Sequence, residues 1–265
     1  NGILDLKTME FRKGVSSDYV SMSVGYDYKD IQKEDPIYIE LTELIEKILP
    51  IQSVREFTLK ALASCLDGHN RDENFYILTG IKGANGKSTI SDLLLKTLGE
   101  YACISPVSLM TGKRETSNSA NSALFNIQNK RAVIMQEPSV TETIQADTMK
   151  SLTGGDKIST RELNSTQVEF ILHAKFFMGC NKLPPMSDMD GGVSRRLKLI
   201  EFIARFVEEP TEEFEYKIDK ELKNKLDNYK NVFMCILRDY YILYKNEGLF
   251  PPHEVQKITK KYELN

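Results

Sequence analysis

The chain has 265 residues, of which 41% are hydrophobic and 28% are charged, and its net charge is −3 at pH 7. This length suits one large domain or a core with small appendages. The negative charge argues against a uniformly basic nucleic-acid binder, and no apolar run approaches the length of a membrane span.

The first third of the chain is predicted to be a linker followed by helices. Residues 1–35 are polar and mixed, and we interpret them as a linker or as the end of a preceding domain. Residues 36–72 are predicted to form a helical segment. Ser53 and Glu56 have the spacing of a capping box, which predicts that a second helix starts there. The first helix of the segment 36–72 is indicated by apolar residues on a single face, namely Leu41, Leu44, Ile45 and Ile48.

The middle of the chain, residues 73–206, alternates apolar runs with helical segments, which predicts an α/β core with a central parallel sheet. A Ser/Thr/Asn-rich loop is expected at residues 111–121. Four runs have the continuous apolar character of buried parallel strands: Phe75–Leu78, Ala132–Gln136, Phe176–Cys180 and Leu197–Phe202. Residues 207–265 are predicted to be helical, with an apolar seam that comprises Leu222, Leu226, Tyr229, Phe233, Ile236, Tyr240 and Leu243.

A glycine-rich loop joins the first predicted strand to a helix that runs from Ser88 to Leu98 and ends at Gly99. A strand, such a loop and a helix N-terminus form a cradle for phosphates, because backbone N–H groups and the helix dipole both favour anions. We predict that Lys87 reaches the outer phosphates of ATP and that Ser88 holds Mg²⁺. The residues predicted to bind the nucleotide are Gly83, Ala84, Asn85, Gly86, Lys87, Ser88 and Thr89.

The loop is one residue longer than the usual phosphate-loop pattern. Gly80 and Gly86 are separated by five residues, and Ile81 stands where the pattern has its first glycine. The pattern has a glycine at that position because the turn needs backbone angles that other residues rarely adopt. We therefore expect Gly83 and Gly86 to supply the flexibility.

Polar residues next to the predicted strands are candidates for ATP hydrolysis. Glu137 follows the strand Ala132–Gln136, where a carboxylate would orient the attacking water and contribute to the Mg²⁺ site; the alternative is an ordinary surface glutamate. Asn181 follows the next strand and would help to hold that water, or serve turn chemistry. Arg195 and Arg196 precede the last strand, and are either surface charges or an arginine finger for a neighbouring subunit.

Residues 150–170 are the candidate DNA contact. A turn at residues 164–166 between short strands predicts a hairpin. Residues 108–205 carry 13 Lys or Arg against 10 Asp or Glu, which suits a basic channel or ordinary solvated charge. The candidates for contact with DNA phosphates are Lys150, Lys157 and Arg161. Arg161 is equally suited to an ion pair with Asp156 or Glu162.

In this order, the motifs resemble those of superfamily 3 helicases, a branch of the AAA+ ATPases. More narrowly, residues 37–262 are similar to the primase-helicases of nucleocytoplasmic large DNA viruses and of some phages and plasmids. The segments that carry the resemblance are the phosphate loop Gly83–Thr89, Glu137-Pro138, Leu152–Asp156 with Arg161, Cys180–Pro184 and Arg195-Arg196.

The resemblance implies an AAA+ core (73–206) with an N-terminal helical collar (36–72) and a C-terminal helical region (207–265). It implies ATP and Mg²⁺ as cofactors, and a ring, typically a hexamer, with ATP bound between subunits. It further implies movement 3′-to-5′ on single-stranded or forked DNA. A primase domain on the same longer polypeptide is also implied. So is an intracellular site of action, in the host cytoplasm or nucleus if the protein is viral, with no membrane partner.

Two alternative functions stay open at this point, a small-molecule kinase and a protein-remodelling AAA+ ATPase or inactive ring scaffold. Gln136 occupies the place of the usual first acidic residue of the strand-end pair. The composition of the metal shell therefore also stays open.

Overall fold

A computed structural model of the chain describes residues 2–80, 82–112, 121–139, 141–161 and 166–264. Most of the predicted loop at 111–121, Ile81, and residues 164 and 165 of the predicted turn lie outside the described residues. The described α-helices are α1 (Pro36–Ile48), α2 (Gln52–Ala63), α3 (Lys87–Leu98), α4 (Ser108–Thr111), α5 (Ser122–Asn126), α6 (Ala146–Thr153), α7 (Gly191–Arg196), α8 (Leu222–Glu247) and α9 (His253–Glu263). The described strands are β1 (Ile3–Asp5), β2 (Glu10–Arg12), β3 (Phe75–Thr79), β4 (Ala102–Ile104), β5 (Ala132–Gln136), β6 (Lys157–Thr160), β7 (Val168–Ile171), β8 (Lys175–Cys180), β9 (Leu197–Glu201), β10 (Arg205–Val207) and β11 (Glu215–Lys217).

The chain divides into two compact units that alternate along the sequence. The first comprises Asn1–Asp67, Ala84–Tyr101 and Phe202–Pro252. The second comprises Gly68–Gly83, Ala102–Glu201 and His253–Asn265. The phosphate loop therefore begins in the second unit and continues, from Ala84, in the first.

The first unit is a helical assembly built on α8. Helices α1, α2 and α3 all pack against it, and the buried face of α8 includes Leu226, Tyr229 and Phe233. The sequence predicts that the apolar seam of α8 continues through Tyr240 and Leu243. That prediction is wrong for the C-terminal part of the helix. Leu243 is 39% exposed, and the buried positions there are Tyr241 and Tyr244, because a 3.6-residue period displaces a strict four-and-three step by one residue over several turns.

The N-terminal residues of the first unit are structured. Strands β1 and β2 pair antiparallel, and Arg12 pairs with both Asp5 and Asp18. Asp30 lies 2.6 Å from Arg238 of α8. The predicted capping box is also corrected: α2 begins at Gln52, and its N-cap residue Ile51 makes no side-chain cap.

The second unit contains a five-stranded sheet with the order β4-β5-β8-β3-β9. Every neighbouring pair in it is parallel. The four predicted strands are confirmed to within one residue at each end, whereas β4, with only three residues at the sheet edge, was not predicted. Side chains from β3, β5, β8 and β9 form a core with α4, α6 and α7, and α9 packs against β9. The α/β class with a parallel central sheet is therefore confirmed.

Within the described ranges, none of the helices has both the length and the apolar character needed to cross a membrane.

Candidate functional site

The end of the phosphate loop adopts two left-handed backbone conformations. Ala84 has a φ of 56° and Gly86 a φ of 87°, and Gly86 is the N-cap residue of α3. A Cβ on Gly86 would lie 2.7 Å from both Cγ1 and Cγ2 of Ile48. Gly83 has neither a left-handed φ nor any atom within 4 Å of such a Cβ. The expectation that Gly83 and Gly86 supply the flexibility of the loop is therefore confirmed for Gly86 and wrong for Gly83, because the second left-handed conformation is at Ala84.

Lys87 and Ser88 begin helix α3, as the phosphate-loop pattern requires. Lys87 is buried, and its Nζ donates a hydrogen bond to Oδ1 of Asn85 at 3.1 Å. Asn85 is itself only 4% exposed, so the amide holds the ammonium group within the loop. Ser88 is exposed at the first turn of the helix. The ammonium and the hydroxyl thus both lie where the helix dipole favours an anion.

A cavity of about 410 Å³ opens at the start of α3. It lies entirely within the first unit, and Phe206 of β10 is tied to the loop because its N–H donates to the carbonyl of Ala84 at 2.8 Å. The lining includes the loop and helix residues Ala84, Gly86, Ser88 and Thr89, the apolar residues Ile48, Phe206 and Ile218, and the charged residues Asp219 and Lys220. The polar start of a helix is thus continuous with an apolar wall.

Glu137 and Asn181 meet at the carboxyl edge of the sheet in the second unit. They directly follow the neighbouring parallel strands β5 and β8, and Nδ2 of Asn181 lies 3.4 Å from Oε1 of Glu137. Glu137 has a φ of 55°, and its N–H donates to the carbonyl of Gly179 at 2.8 Å. A left-handed glutamate is uncommon, and such backbone strain concentrates at functional sites. This position therefore differs from an ordinary strand end.

Arg195 and Arg196 lie at the opposite, amino edge of the same sheet. They end α7 and directly precede β9. Both guanidinium groups contact Glu73, which precedes β3, the strand beside β9. Sequence reasoning missed Glu73, because 123 positions separate it from Arg196 and only the strand pairing brings the two together.

The predicted hairpin is confirmed by the antiparallel pairing of β6 and β7. Lys157 and Arg161 are both exposed, and Lys157 lies 3.9 Å from Glu169 across the hairpin. Of the two ion pairs considered as alternatives for Arg161, the one with Asp156 is not found among the described residues, and Glu162 lies outside them. Lys150 lies before the hairpin on α6 and pairs with Asp147 at 3.1 Å and Asp190 at 2.9 Å. Its hydrogen bonds, the one to Asp190 first, raise its pKa above the usual value.

The chain is similar to proteins of large DNA viruses that are named helicases or primases. It is 36% identical over 272 residues to "Putative helicase L207/L206" of Acanthamoeba polyphaga mimivirus. That alignment covers 99% of this chain and 28% of the relative. It is 30% identical over 212 residues to "Putative helicase 121R" of Invertebrate iridescent virus 3, which covers 78% of this chain and 22% of the relative. It is 25% identical over 263 residues to "Primase D5" of Fowlpox virus, which covers 92% of this chain and 33% of the relative.

The chain is a homologue of viral proteins named helicases and primases. It spans about a quarter of the length of the first two of these relatives. A family of unknown function, DUF5906, matches residues 78–196, which contain the whole phosphate loop, Glu137, Asn181 and both arginines.

Solved structures support the fold. The apo structure of the NrS-1 C-terminal region superimposes with a TM-score of 0.64 at 17% identity, over 89% of this chain and 53% of that one. Its A form gives a TM-score of 0.63 at 18% identity, with the same coverage. At this level of identity the likeness shows a common fold and no more.

The structure adds residues to the site that the sequence did not single out. Ile48, Phe206 and Ile218 line the cavity, although they come from three separate stretches of chain. No motif marks them, and apolar residues of this kind read as ordinary core in the sequence. The signal that was available is position, since Phe206 follows the predicted last strand of the core and Ile48 ends the first predicted helix.

Proposed function

We propose that this chain is the ATP-hydrolysing helicase portion of a viral replication protein, with a superfamily 3 AAA+ core that moves along single-stranded DNA. The observation that carries the proposal is the cavity that adjoins the phosphate loop. The relatives' names supply the class of process, because several of them are named helicases or primases.

The cavity suits a nucleotide better than an isolated phosphate. Its volume of about 410 Å³ lies within the range of roughly 300–1,000 Å³ that is usual for small-molecule sites. The start of α3 offers backbone N–H groups and a dipole to the phosphates, whereas Phe206 and Ile218, which are not buried, offer apolar surface to a base. Inorganic phosphate alone would leave that apolar wall without a partner.

The proposed roles follow from the chemistry of each group. Lys87 exchanges its hydrogen bond with Asn85 for the outer phosphates, and Ser88 provides a hydroxyl ligand for Mg²⁺. Glu137 orients water for attack, and Asn181 holds the glutamate and that water in place. Bound Mg²⁺ would neutralise charge on the phosphates.

The metal shell needs few protein ligands. Among the residues that the structure describes, no cluster of three or more His, Cys, Asp or Glu is placed to hold a metal. Mg²⁺ at nucleotide sites is usually held by one or two protein groups together with phosphates and water. We assign Ser88 and Glu137 to this shell, and Gln136 leaves it with one carboxylate fewer than the usual pair.

The DNA-binding part of the proposal rests on the β6–β7 hairpin. Lys157 and Arg161 are its exposed basic residues, and contact with phosphates alone gives binding that tolerates any sequence and weakens with salt. Lys150 is a weaker candidate, since it would first have to leave two carboxylates. We further propose a ring of six copies, with a primase domain on the same longer polypeptide, acting inside the host cell.

The test is the rate of ATP hydrolysis with and without single-stranded DNA, combined with separation of a forked duplex. Lys87→Ala should abolish tight ATP binding, and Glu137→Gln should keep ATP binding but slow hydrolysis by orders of magnitude. Lys96→Ala is the matched control, because Lys96 lies on the same helix in an exposed pair with Asp227 that contributes little.

Two outcomes would overturn the proposal. Undiminished ATP affinity in Lys87→Ala would refute the proposed nucleotide site. ATP turnover that DNA does not stimulate, together with no strand separation, would refute the proposed helicase activity. Transfer of the phosphoryl group to a small molecule would then indicate a small-molecule kinase. Remodelling of a protein substrate would indicate a protein-remodelling AAA+ ATPase.

A further inference from the structure

One carboxylate holds two guanidinium groups at the amino edge of the sheet. Oε2 of Glu73 lies 2.7 Å from an Nη of Arg195 and 2.7 Å from an Nη of Arg196. The pairing of β3 with β9, in which Phe75 is opposite Leu197, brings these residues together, because each lies one or two positions before its strand. All of them belong to the second unit. Two positive charges share one negative charge, so the cluster keeps a net charge of about +1.

The two arginines have different environments. Arg196 is 8% exposed, and it also donates to the carbonyl of Gly192 at 2.9 Å. The side chain of Arg195 is 58% exposed, and the structure holds it through Glu73. Arg196 is therefore a buried anchor, whereas Arg195 presents its guanidinium group to solvent.

The backbone of Glu73 is strained in a way that fixes this arrangement. Its φ is 51°, and the left-handed region costs a residue with a side chain about 1–2 kcal/mol. Such strain persists only where the surroundings determine the conformation. At Glu73 the conformation places the carboxylate between the two arginines, with one side of the cluster buried and the other exposed.

Neither arginine can serve Glu137 of its own chain. The arginines lie at the amino edge of the sheet, and Glu137 and Asn181 lie at the carboxyl edge. Strand β3 has five residues, which at about 3.3 Å per residue separates the two edges by about 16 Å. Arg195 can therefore meet only a phosphate that Glu137 of its own chain does not serve.

We propose that Glu73 is the positioning residue for an arginine finger and that the finger is Arg195, with Arg196 as its buried anchor. Glu73 holds the guanidinium group of Arg195 at the surface until the phosphates of a neighbouring copy replace the carboxylate as its partner. This inference rests on the proposed function, since a finger requires ATP bound by the neighbour. It assigns different roles to two arginines that the sequence leaves equivalent.

The test is a double-mutant comparison of ATP turnover. Arg195→Ala should lower kcat by about 10³–10⁵-fold, the range for such fingers, with ATP affinity and thermal stability unchanged. Glu73→Gln should lower kcat by about ten- to a hundredfold, because displacing a catalytic group by 1 Å can cost about 10²-fold. If Glu73 acts through Arg195, Glu73→Gln should have no further effect on kcat when Arg195 is already alanine.

A purely structural role for Glu73 gives a different pattern. In that case Glu73→Gln lowers kcat by the same factor in both backgrounds, and the inference is refuted. Glu73→Asp keeps the charge and should recover part of kcat, which guards against a glutamine variant that folds poorly. If Glu73→Asp folds as the wild type does and turns over no faster than Glu73→Gln, the charge pairing is not what positions Arg195.

Mixing experiments separate this inference from the proposed function. Arg195→Ala mixed with Glu137→Gln should regain activity, because some interfaces then combine an intact arginine with an intact glutamate. If Arg195→Ala alone turns over ATP normally, Arg195 is not a finger and this inference is refuted, whereas the proposed ATP site is tested separately by Lys87→Ala. If the mixture recovers activity but Arg196→Ala and Arg195→Ala behave alike in stability and kcat, the assignment of separate roles is wrong.

Discussion

Gly86→Ala should damage the phosphate loop severely, whereas the neighbouring change Gly83→Ala should not. Gly86 has a φ of 87°, and an added Cβ would lie 2.7 Å from two carbon atoms close to the backbone of Ile48. Gly83 has no left-handed φ and no atom within 4 Å of such a Cβ. The two glycines have the same chemistry and similar sequence context, so one is the matched control for the other.

The size of the effect follows from these two terms. The left-handed backbone costs about 1–2 kcal/mol once a Cβ is present, and overpacking a well-packed site costs about 1–3 kcal/mol. Together they amount to about 2–5 kcal/mol, which at 1.4 kcal/mol per tenfold change is at least about 30-fold in an equilibrium constant. If the loop moves to relieve the strain, the cost appears as weaker ATP binding. If it stays, the cost appears as lower stability.

Titration calorimetry with ATP and thermal unfolding without ATP measure both parts. We expect Gly83→Ala to have the ATP affinity and the melting temperature of the wild type. Gly86→Ala should have a lower ATP affinity, a lower melting temperature, or both. In an Ile48→Ala background the overpacking term disappears, so Gly86→Ala should then cost only the backbone term. Equal ATP affinity and equal melting temperature for the two glycine variants would refute the reasoning.

Three further changes test other parts of the molecule. Phe206→Ala should weaken ATP binding by at least about tenfold and leave the binding of inorganic tripolyphosphate unchanged; equal losses for both ligands would show that the cavity does not take the base. Lys157→Gln should reduce the slope of log affinity for single-stranded DNA against log salt by about 1, whereas Lys96→Gln should not change it. Burial lowers the pKa of Lys198 from 10.5 to about 8. Between these values the unfolded chain binds more protons, so stability should rise with pH, and denaturant titrations should show no such rise in Lys198→Met.

The buried strands could be predicted because their residues are almost continuously apolar. Strands β3, β5, β8 and β9 are covered on both faces, and this leaves a signal that needs no alternation. The edge strand β4 was missed because it has three residues, of which Ile104 is 66% exposed. Short edge strands form through pairing with a neighbour, and a single sequence does not contain that information.

The candidate site likewise contains residues that the sequence points to and residues that it does not. Lys87, Ser88, Glu137 and Asn181 could be identified because each follows a strand or opens a helix in a recognisable motif. The left-handed conformations of Ala84 and Glu137 could not, since either residue is usually found in ordinary backbone regions. Glu73 could not be found either, because strand pairing and not sequence proximity brings its carboxylate to the two arginines.

The alternation of the two units along the chain affects how the protein folds and how it can be shortened. The chain passes from one unit to the other five times, at Asp67, Gly83, Tyr101, Glu201 and Pro252. Each unit must therefore close long loops between distant segments before its core is complete, and such topologies fold slowly. Deletion of residues 253–265 would remove α9 from β9 in the second unit while every residue assigned to the first unit remained. Truncations meant to isolate one activity should consequently expose apolar core and favour aggregation.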